Sequence, residues 1–301
     1  ELSGNIIDLC PVGALTSAPY AFKARPWELT KTNSIDVLNS LGSSIEIGSK
    51  DGQVLRVLPR LNEDVNEEWL ADKSRFAIDG LNNQRLDIPY KKNSKGKLEP
   101  CSWEEAFKQL SINIKNLKPE EIAALSGDQA CLESIVALKD LMSKFDVVNI
   151  DCRPEYSSLS VNTKDRSGWL FNPTISGIEI ADTLLIIGSQ PRYEAALLDA
   201  RIRKAWLANN LKVARIGGGD GSSYPIDELG DGINIIEEIY KGKHRYNKTL
   251  DKSFKPLFLI GENSINRKDG KGILGRVREI AKNYNAFNDS WNGLAILHSS
   301  A

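Results

Sequence analysis

Histidine and cysteine are scarce in this sequence, and neither is grouped. The 301 residues include two histidines and four cysteines. They are His244, His298, Cys10, Cys101, Cys131 and Cys152. No two cysteines form a CxxC pair, which argues against a closed zinc site and against a disulfide scaffold. Two histidines give a histidine-based metal site or a catalytic triad almost nothing to use.

Long apolar runs and an excess of one charge are also missing. The longest apolar runs, Thr183–Ile187 and Leu257–Ile260, have the length of buried strands, whereas a membrane span needs about 18 residues. Lysine and arginine number 39 against 40 acidic residues, so no basic surface for nucleic acid is indicated. There is no signal-peptide pattern. Because the chain starts at Glu1 rather than at methionine, we expect its N-terminus to have been cut or cleaved.

Helix and strand patterns alternate from about Ser102 onward. Ser102 and Glu105 form a capping box, and the apolar residues that follow recur at helical spacing, which predicts an amphipathic helix. Strands are predicted at Glu121–Leu125, Val147–Ile150, Thr183–Ile187, Lys212–Ile216 and Leu257–Ile260, and helices at Leu132–Phe145, Ala195–Leu207, Ile233–Tyr240 and Ile273–Ala281. This rhythm predicts an α/β fold with a doubly wound, mostly parallel sheet.

Two smaller segments precede this α/β domain. Residues 1–27 hold too little apolar surface for a core of their own and are typical of the end of a larger domain. The runs SIDVLN, SSIEIGS and QVLRVLP then show strand patterning, and Asp51-Gly52 between the last two is a hairpin signal. EEWLADKSRF predicts a short helical turn. We therefore predict three parts: 1–27, a small β-rich module at 28–88, and the α/β domain at 89–301.

The stretch IIDLCPVGAL places a proline directly after Cys10. Thiolates hold iron–sulfur clusters, and proline follows the last cysteine of ferredoxin-type ligand runs. Pro11 fixes φ, and Val12, Gly13 and Ala14 would let backbone N–H groups approach a sulfur, which tunes its reduction potential. On spacing alone, a small buried thiol that happens to precede proline explains the stretch equally well. A tetranuclear cluster also needs three more ligands, which this window lacks.

Two glycine turns after predicted strands are further candidate sites. They are Gly188–Arg192 and Gly217–Ser223. Such turns can cradle phosphates, but Gly217–Ser223 lacks the third glycine of a dinucleotide fingerprint and leads into no helix. We favour a structural role for both turns. We interpret the remaining cysteines as core or loop thiols: Cys101, Cys131 and Cys152.

Four stretches are long and specific enough to compare with known families. They are ELSGNIIDLCPVGALTSAPYAFKARPWE, LPRLNEDVNEEWLADKSRFAIDGL, FNPTISGIEIADTLLIIGSQPRYEAALLDARIRKAW and WNGLAILHSSA. Together they resemble the large iron–sulfur subunit of respiratory complex I, the NADH:quinone oxidoreductase, over nearly the whole chain. The resemblance implies a molybdopterin-oxidoreductase-like fold and, at 1–27, the end of a ferredoxin-like iron–sulfur domain. That family continues beyond the position of Ala301, which implies a split gene or a partial chain.

The resemblance implies a role for Cys10. In that family the cysteine of the CPVGAL run is the fourth ligand of a 4Fe–4S cluster. Carried over, Cys10 binds iron, and Pro11, Val12, Gly13 and Ala14 shape the surroundings of the cluster. The other three ligands form a CxxCxxC group, which would lie upstream of this sequence or on another chain.

A second cluster and a molybdopterin cofactor are not expected. Molybdopterin oxidoreductases bind a tetranuclear cluster through four cysteines in the small β-rich module. Our alignment places Asp36, Asn39, Ser43 and Ala71 at those positions, and none is a thiol. The resembled family has also lost the molybdenum cofactor from its α/β domain, so we expect that domain to dock partners.

The resemblance implies an electron-transfer subunit, or part of one, in the peripheral arm of complex I. It would pass electrons from NADH and flavin toward quinone, with no substrate chemistry, nucleic-acid binding or membrane insertion of its own. The expected partners are the flavoprotein and neighbouring iron–sulfur subunits, at the matrix side of the mitochondrial inner membrane or the cytoplasmic face of a bacterial one. Two alternatives stay open: a pterin- or nucleotide-binding module at the glycine turns, and a structural assembly subunit in which Cys10 is a core thiol.

Overall fold

The structure is a computed structural model that describes residues 1–81, 83–152, 166–219 and 221–298. The chain forms two compact units, Glu1–Ile78 with Glu155–Ala301, and Asp79–Pro154. The domain limits inferred from the sequence stay predictions. Among the described residues, no helix is both long and apolar enough to span a membrane.

The strands and helices of the described residues are as follows. The strands are β1 (Thr30–Ile35), β2 (Ser44–Lys50), β3 (Gln53–Pro59), β4 (Tyr90–Lys92), β5 (Leu98–Pro100), β6 (Ala124–Leu125), β7 (Ile150–Asp151), β8 (Thr183–Ile187), β9 (Lys212–Ile216), β10 (Asp227–Gly230), β11 (Pro256–Gly261), β12 (Phe287–Asn288), β13 (Trp291–Asn292) and β14 (Leu294–Leu297). The α-helices are α1 (Asn5–Leu9), α2 (Asp72–Phe76), α3 (Trp103–Lys115), α4 (Leu132–Ser143), α5 (Pro191–Glu194), α6 (Ala196–Asn209), α7 (Ile233–Tyr240), α8 (Asn247–Leu250), α9 (Glu262–Ile265) and α10 (Gly270–Asn283). Single turns of 3₁₀ helix lie at Pro26–Glu28, Ala77–Leu81, Pro119–Glu121, Arg166–Gly168 and Ser176–Ile180.

The larger unit is built on a parallel five-stranded sheet with the order β10-β9-β8-β11-β14. The chain enters at the central strand β8, winds outward through β9 and β10, and then returns to the other side of β8 to form β11 and β14. Because both faces are covered, β8 and β11 are buried along their whole length. The predicted doubly wound α/β sheet is confirmed.

Each face of this sheet has its own apolar core. Successive residues of a strand point to opposite faces, so Leu184 joins one core and Leu185 the other. Helices α7 and α10 cover the face of Leu185, where Val277 is fully buried, and α6 covers the face of Leu184, where Ile202 is fully buried. Burying each such side chain contributes about 1.5–3 kcal/mol, and the two cores hold the strand ends in place.

The outer edge of β14 is not left open. The main-chain N–H of Ile296 donates to the carbonyl of Leu170, and Asn172 donates to the carbonyl of Leu294 from its main chain and its side chain. Phe171 forms an antiparallel bridge with Ala295. This segment of the same unit therefore pairs with the outer edge of β14.

The small β-rich module is an antiparallel meander of β1, β2 and β3. Asp51 and Gly52 join β2 to β3 with positive φ at both residues, as the hairpin signal predicts. The predicted strand SIDVLN is wrong after Ile35, where β1 ends. Beyond it, the Asp36 carboxylate accepts from the N–H of Leu38, and such side-chain bonds to local backbone compete with strand pairing.

The unit Asp79–Pro154 holds two short sheets and the helices α3 and α4. The capping box of α3 is confirmed, because Ser102 Oγ accepts from the N–H of Glu105 and the Glu105 carboxylate accepts from the N–H of Ser102. The predicted strand Glu121–Leu125 shortens to β6, whereas Val147–Ile150 overlaps β7 only at Ile150. Strands β6 and β7 pair over two residues each. Part of the first predicted strand instead forms the 3₁₀ turn Pro119–Glu121.

Candidate functional site

Cys10 caps the C-terminus of α1. Its N–H donates to the carbonyl of Ile7, and its extended backbone conformation ends the helix. The proline at position 11 cannot continue a helical hydrogen-bond ladder, which explains why the helix stops here. The sulfur therefore lies at the start of a tight turn that runs to Leu15.

The backbone of that turn favours ionisation of the Cys10 thiol. Hydrogen bonds from Leu15, Val12, Ala14 and Gly13 lower the pKa of the Cys10 thiol, with Leu15 contributing most, against a smaller rise from burial. Gly13 has φ +64°, a conformation that costs glycine little and lets successive N–H groups face one centre. This turn stabilises a thiolate, the form that binds metal.

The helix that carries Cys10 is fastened to the small module at its N-terminus. The Asp72 carboxylate at the start of α2 accepts from the N–H of Ser3 at 3.0 Å and from that of Gly4 at 2.7 Å. Burial alone would raise the pKa of Asp72, but these bonds outweigh it and the pKa is lowered. An anionic cap on the first turn of a helix is favourable.

A second attachment runs through Asn5, which is buried in α1. Its amide donates to the carbonyl of Leu70 at 2.9 Å and its side-chain oxygen accepts from the N–H of Leu70 at 2.9 Å. Leu70 itself is fully buried in the core of the small module. The Arg75 guanidinium adds an ion pair of 2.6 Å with Asp8. The sequence patterns had indicated no role for Asn5, Asp72 or Arg75.

The surface around Cys10 is apolar and exposed. Val12 is 81% exposed, and Ile6, Leu9 and Leu15 are also exposed. Within the described residues, no group of three or more histidine, cysteine, aspartate or glutamate side chains could hold a metal ion. This part of the chain therefore brings a single prepared thiolate to an apolar surface rather than a complete ligand set.

The other cysteines have different surroundings. Cys131 precedes α4 and is exposed, and Cys152 follows β7 and is exposed too. They are thus loop thiols rather than core thiols. Cys101 is half-buried. Cys131 contacts the hydroxyl of Ser134, and that hydrogen bond lowers the pKa of the Cys131 thiol.

Two of the four positions aligned with ligands of a second iron–sulfur cluster belong to a buried hydrogen-bonded network of polar side chains. Asn39 donates to the Asp36 carboxylate, and Ser74 Oγ donates to the same oxygen. All three residues are buried, as are Ser43 and Ala71. Two of the four positions thus join a hydrogen-bonded network with Ser74, which lies outside the four aligned positions.

The crevice between β8 and β11 is filled by protein. Strand order reverses between these strands, which is where sheets of this kind bind ligands. At Gly188, with φ +57°, an added Cβ would lie 1.7 Å from Ser264 Oγ, and at Gly261 it would lie 2.5 Å from the Gly188 carbonyl. Nearby, Gln190 packs against Gly219.

The space between the two glycine turns is correspondingly small. A cavity of about 10 Å³ is lined by Gln190, Pro191, Arg192, Asp199, Arg215, Ser222, Tyr224 and Ile226. This is barely the space of one water molecule. One residue of the second turn, Asp220, lies outside the described residues. The described part of the first turn is a packed connection from β8 to α5, and that of the second turn connects β9 to β10.

Comparison with known families agrees with this architecture. The family model "Molybdopterin oxidoreductase" matches residues 85–301. The chain belongs to this family. A second model, "NADH-ubiquinone oxidoreductase NDSU1/NuoG-like, 4Fe-4S domain", matches residues 29–79, a region of this chain without cysteine. The matches fit the α/β sheet and the β-rich module in turn.

Individual relatives agree with the resemblance inferred from the sequence. The G subunit of the NADH-quinone oxidoreductase of Rickettsia conorii is 46% identical over 301 residues, which are all of this chain and 44% of the relative. The mitochondrial NADH dehydrogenase [ubiquinone] iron-sulfur protein 1 of Solanum tuberosum is 44% identical over 297 residues, 99% of this chain and 40% of the relative. The predicted resemblance is confirmed. The chain spans less than half the length of these relatives.

One solved structure gives a weaker likeness. A chain of the formyltransferase/hydrolase complex (FhcABCD) from Methylorubrum extorquens aligns with a TM-score of 0.37 and 12% identity, over 66% of this chain and 58% of that one. A likeness of this degree supports no functional argument.

Proposed function

We propose that Cys10 provides one thiolate ligand of a 4Fe–4S cluster and that this chain is an electron-carrying part of an NADH:quinone oxidoreductase. The observation that carries the proposal is the turn after Cys10, which ends α1, contains Gly13 at φ +64° and lowers the pKa of the Cys10 thiol through its backbone. N–H groups directed at cluster sulfur raise the reduction potential. Similarity to the rickettsial oxidoreductase subunit and to the mitochondrial iron–sulfur protein supports the choice of complex.

The residues of this chain would prepare the ligand and shield it. When bound, the cluster accepts and releases one electron at a time. The turn lowers the pKa of the Cys10 thiol, so that iron competes less with a proton for the sulfur. Attachment of α1 through Asn5 and Asp72 fixes the sulfur relative to the small module. The exposed side chains Leu9, Val12 and Leu15 would be covered by the polypeptide that brings the other three ligands, which excludes water from the cluster.

The remaining parts of the proposal concern the assembly. The α/β domain would serve as a docking scaffold without molybdopterin, and the partners would be the flavin-bearing and neighbouring iron–sulfur subunits of the peripheral arm. The location would be the matrix side of the mitochondrial inner membrane or the cytoplasmic face of a bacterial membrane. The filled crevice at Gly188 and Ser264 supports a scaffold over a pterin- or nucleotide-binding module.

The test is low-temperature EPR with iron quantification on the assembled complex. Complexes would carry the wild-type residue, Cys10→Ala, or Cys131→Ala as a control at another thiol with a lowered pKa. We expect Cys10→Ala to remove one tetranuclear signal and about four iron atoms, while Cys131→Ala changes neither. An unchanged spectrum and iron content in Cys10→Ala would refute the ligand role and leave a structural subunit.

A further inference from the structure

A buried cation lies next to the helix that presents Cys10. Arg75 is only 5% exposed, although arginine is almost never buried without a partner. Its Nη2 contacts the Asp8 carboxylate at 2.6 Å and donates to the Asn5 side-chain oxygen at 3.1 Å. Both partners belong to α1, the five-residue helix whose C-cap is Cys10. The guanidinium thus serves the segment that carries the thiolate.

The local backbone is shaped to admit this side chain. A Cβ at Gly4 would lie 2.8 Å from both Cδ and Nε of Arg75, so the glycine allows the guanidinium to lie against the first turn of α1. Arg75 Nε is buried and has no hydrogen-bond partner in the described part of the chain. Leaving such a donor unpaired is unfavourable, so the bonds from Nη2 to Asn5 and Asp8 are the contacts that hold the charge here.

The charges of this pair are close to the proposed ligand along the chain. Asp8 lies in α1, two residues before Cys10. With Arg75 present, the positive charge of the guanidinium offsets the negative charge of the Asp8 carboxylate. Without Arg75, the negative charge of Asp8 would remain unpaired two residues from the proposed ligand, where it would disfavour the addition of an electron. The pair therefore adjusts the local charge as well as the position of α1.

We propose that the Arg75–Asp8 ion pair is a positioning element that sets the reduction potential of the cluster bound through Cys10. This inference rests on the proposed function. Arg75 holds α1 against the small module, and the balance of its charge with that of Asp8 fixes the electrostatic potential at the Cys10 turn. The two roles make different predictions for the midpoint potential. Displacement of α1 would shift the potential in the same direction in every variant. A change of charge would shift it in a direction set by the sign of the charge that is removed.

The test is a redox titration of the Cys10-dependent EPR signal in the assembled complex. Arg75→Gln is expected to shift the midpoint potential to more negative values, and Asp8→Asn to more positive values. Arg75→Lys retains the charge and should titrate near the wild type. The double variant Arg75→Gln with Asp8→Asn should return toward the wild-type potential. Arg215→Gln is the matched control, since it neutralises an equally buried arginine that pairs with Glu228 on the five-stranded sheet.

The outcomes separate the two proposals. If Cys10→Ala leaves the spectrum intact, the proposed function fails and no titration follows. If Cys10→Ala removes the signal but Arg75→Gln and Asp8→Asn both titrate at the wild-type potential, the inference about the ion pair is overturned and the ligand role stands. Loss or displacement of the signal in the same direction in both single variants would also overturn it, leaving a structural anchor. If the Arg75→Gln complex does not assemble, the direction of the shift in midpoint potential is still measured with Asp8→Asn, since Asp8 is more exposed.

Discussion

The contact between α6 and the small module gives the sharpest stability prediction. Arg201 on α6 is 4% exposed. Its Nε donates to the carbonyl of Val65 at 3.2 Å, its Nη2 donates to the carbonyl of Glu63, and its Nη1 contacts the Glu179 carboxylate at 2.5 Å. One side chain therefore joins the loop after β3, the 3₁₀ turn at Ser176–Ile180, and α6. Arg201→Met removes the charge and the donors but keeps an apolar stem of similar length.

The expected loss of stability depends on whether the Glu179 carboxylate keeps a partner when Arg201 is replaced. Breaking a buried ion pair by removing one partner costs about 3–5 kcal/mol, because the other partner is left uncompensated. Here Glu179 is partly exposed and Lys204 also reaches it at 3.2 Å, so the carboxylate keeps a partner. We therefore expect Arg201→Met to lower the free energy of unfolding by about 3 kcal/mol, at the lower end of that range.

The assay is equilibrium urea unfolding of the full chain, followed by tryptophan fluorescence. Arg203→Met is the matched control, since Arg203 is an exposed residue of the same helix, and it should change the free energy of unfolding by no more than about 0.5 kcal/mol. A loss below about 1 kcal/mol for Arg201→Met, or an equal loss in both variants, would refute the idea that this guanidinium ties the module to the sheet domain.

Two further predictions concern the loop ends of the sheet. Burial raises the pKa of the Asp199 carboxyl, although the Tyr224 hydroxyl donates to it at 2.6 Å. The folded state then binds this proton more tightly than the unfolded state. The contribution of Asp199 to the free energy of unfolding therefore falls as pH rises from about 4. Asp199→Asn should gain stability relative to the wild type as pH rises above about 4 in urea unfolding, and a difference independent of pH would contradict this. Gly188→Ala should cost about 2–5 kcal/mol in thermal unfolding, from steric overlap with Ser264 and from the left-handed backbone. A second change, Ser264→Gly, should recover only the steric part, and full recovery would show that the positive φ carries no cost.

The parts of the fold that the sequence predicted well are those with sharp physical borders. Strand β9 and helix α7 match their predicted limits, and β8 does so too. Strand β8 is covered on both faces and is apolar after Thr183, so its pattern starts and stops with the strand. Strands β6 and β7 lack such borders, because their pairing covers two residues each. The apolar pattern next to them therefore predicts strand where the structure has none.

The candidate site also has one part that the sequence predicted and one part that it did not. Cys10 and the turn after it are contiguous, so their residue types could be interpreted locally. Asn5, Asp72 and Arg75 could not be, since each acts across 65 to 70 positions of the chain. No local pattern distinguishes a buried arginine in LADKSRF from a solvated one. Only the folded module brings these side chains to α1.

The filled crevice between β8 and β11 bears on how the sheet domain can move. Enzymes that admit a ligand at such a crevice open and close the surrounding loops in each cycle. Here Ser264 lies against Gly188, and the backbone of Gly188 approaches Gly261 closely. Opening of this crevice would have to separate Ser264 from Gly188 and Gly188 from Gly261, so the packing that fills it also ties the ends of β8 and β11 together.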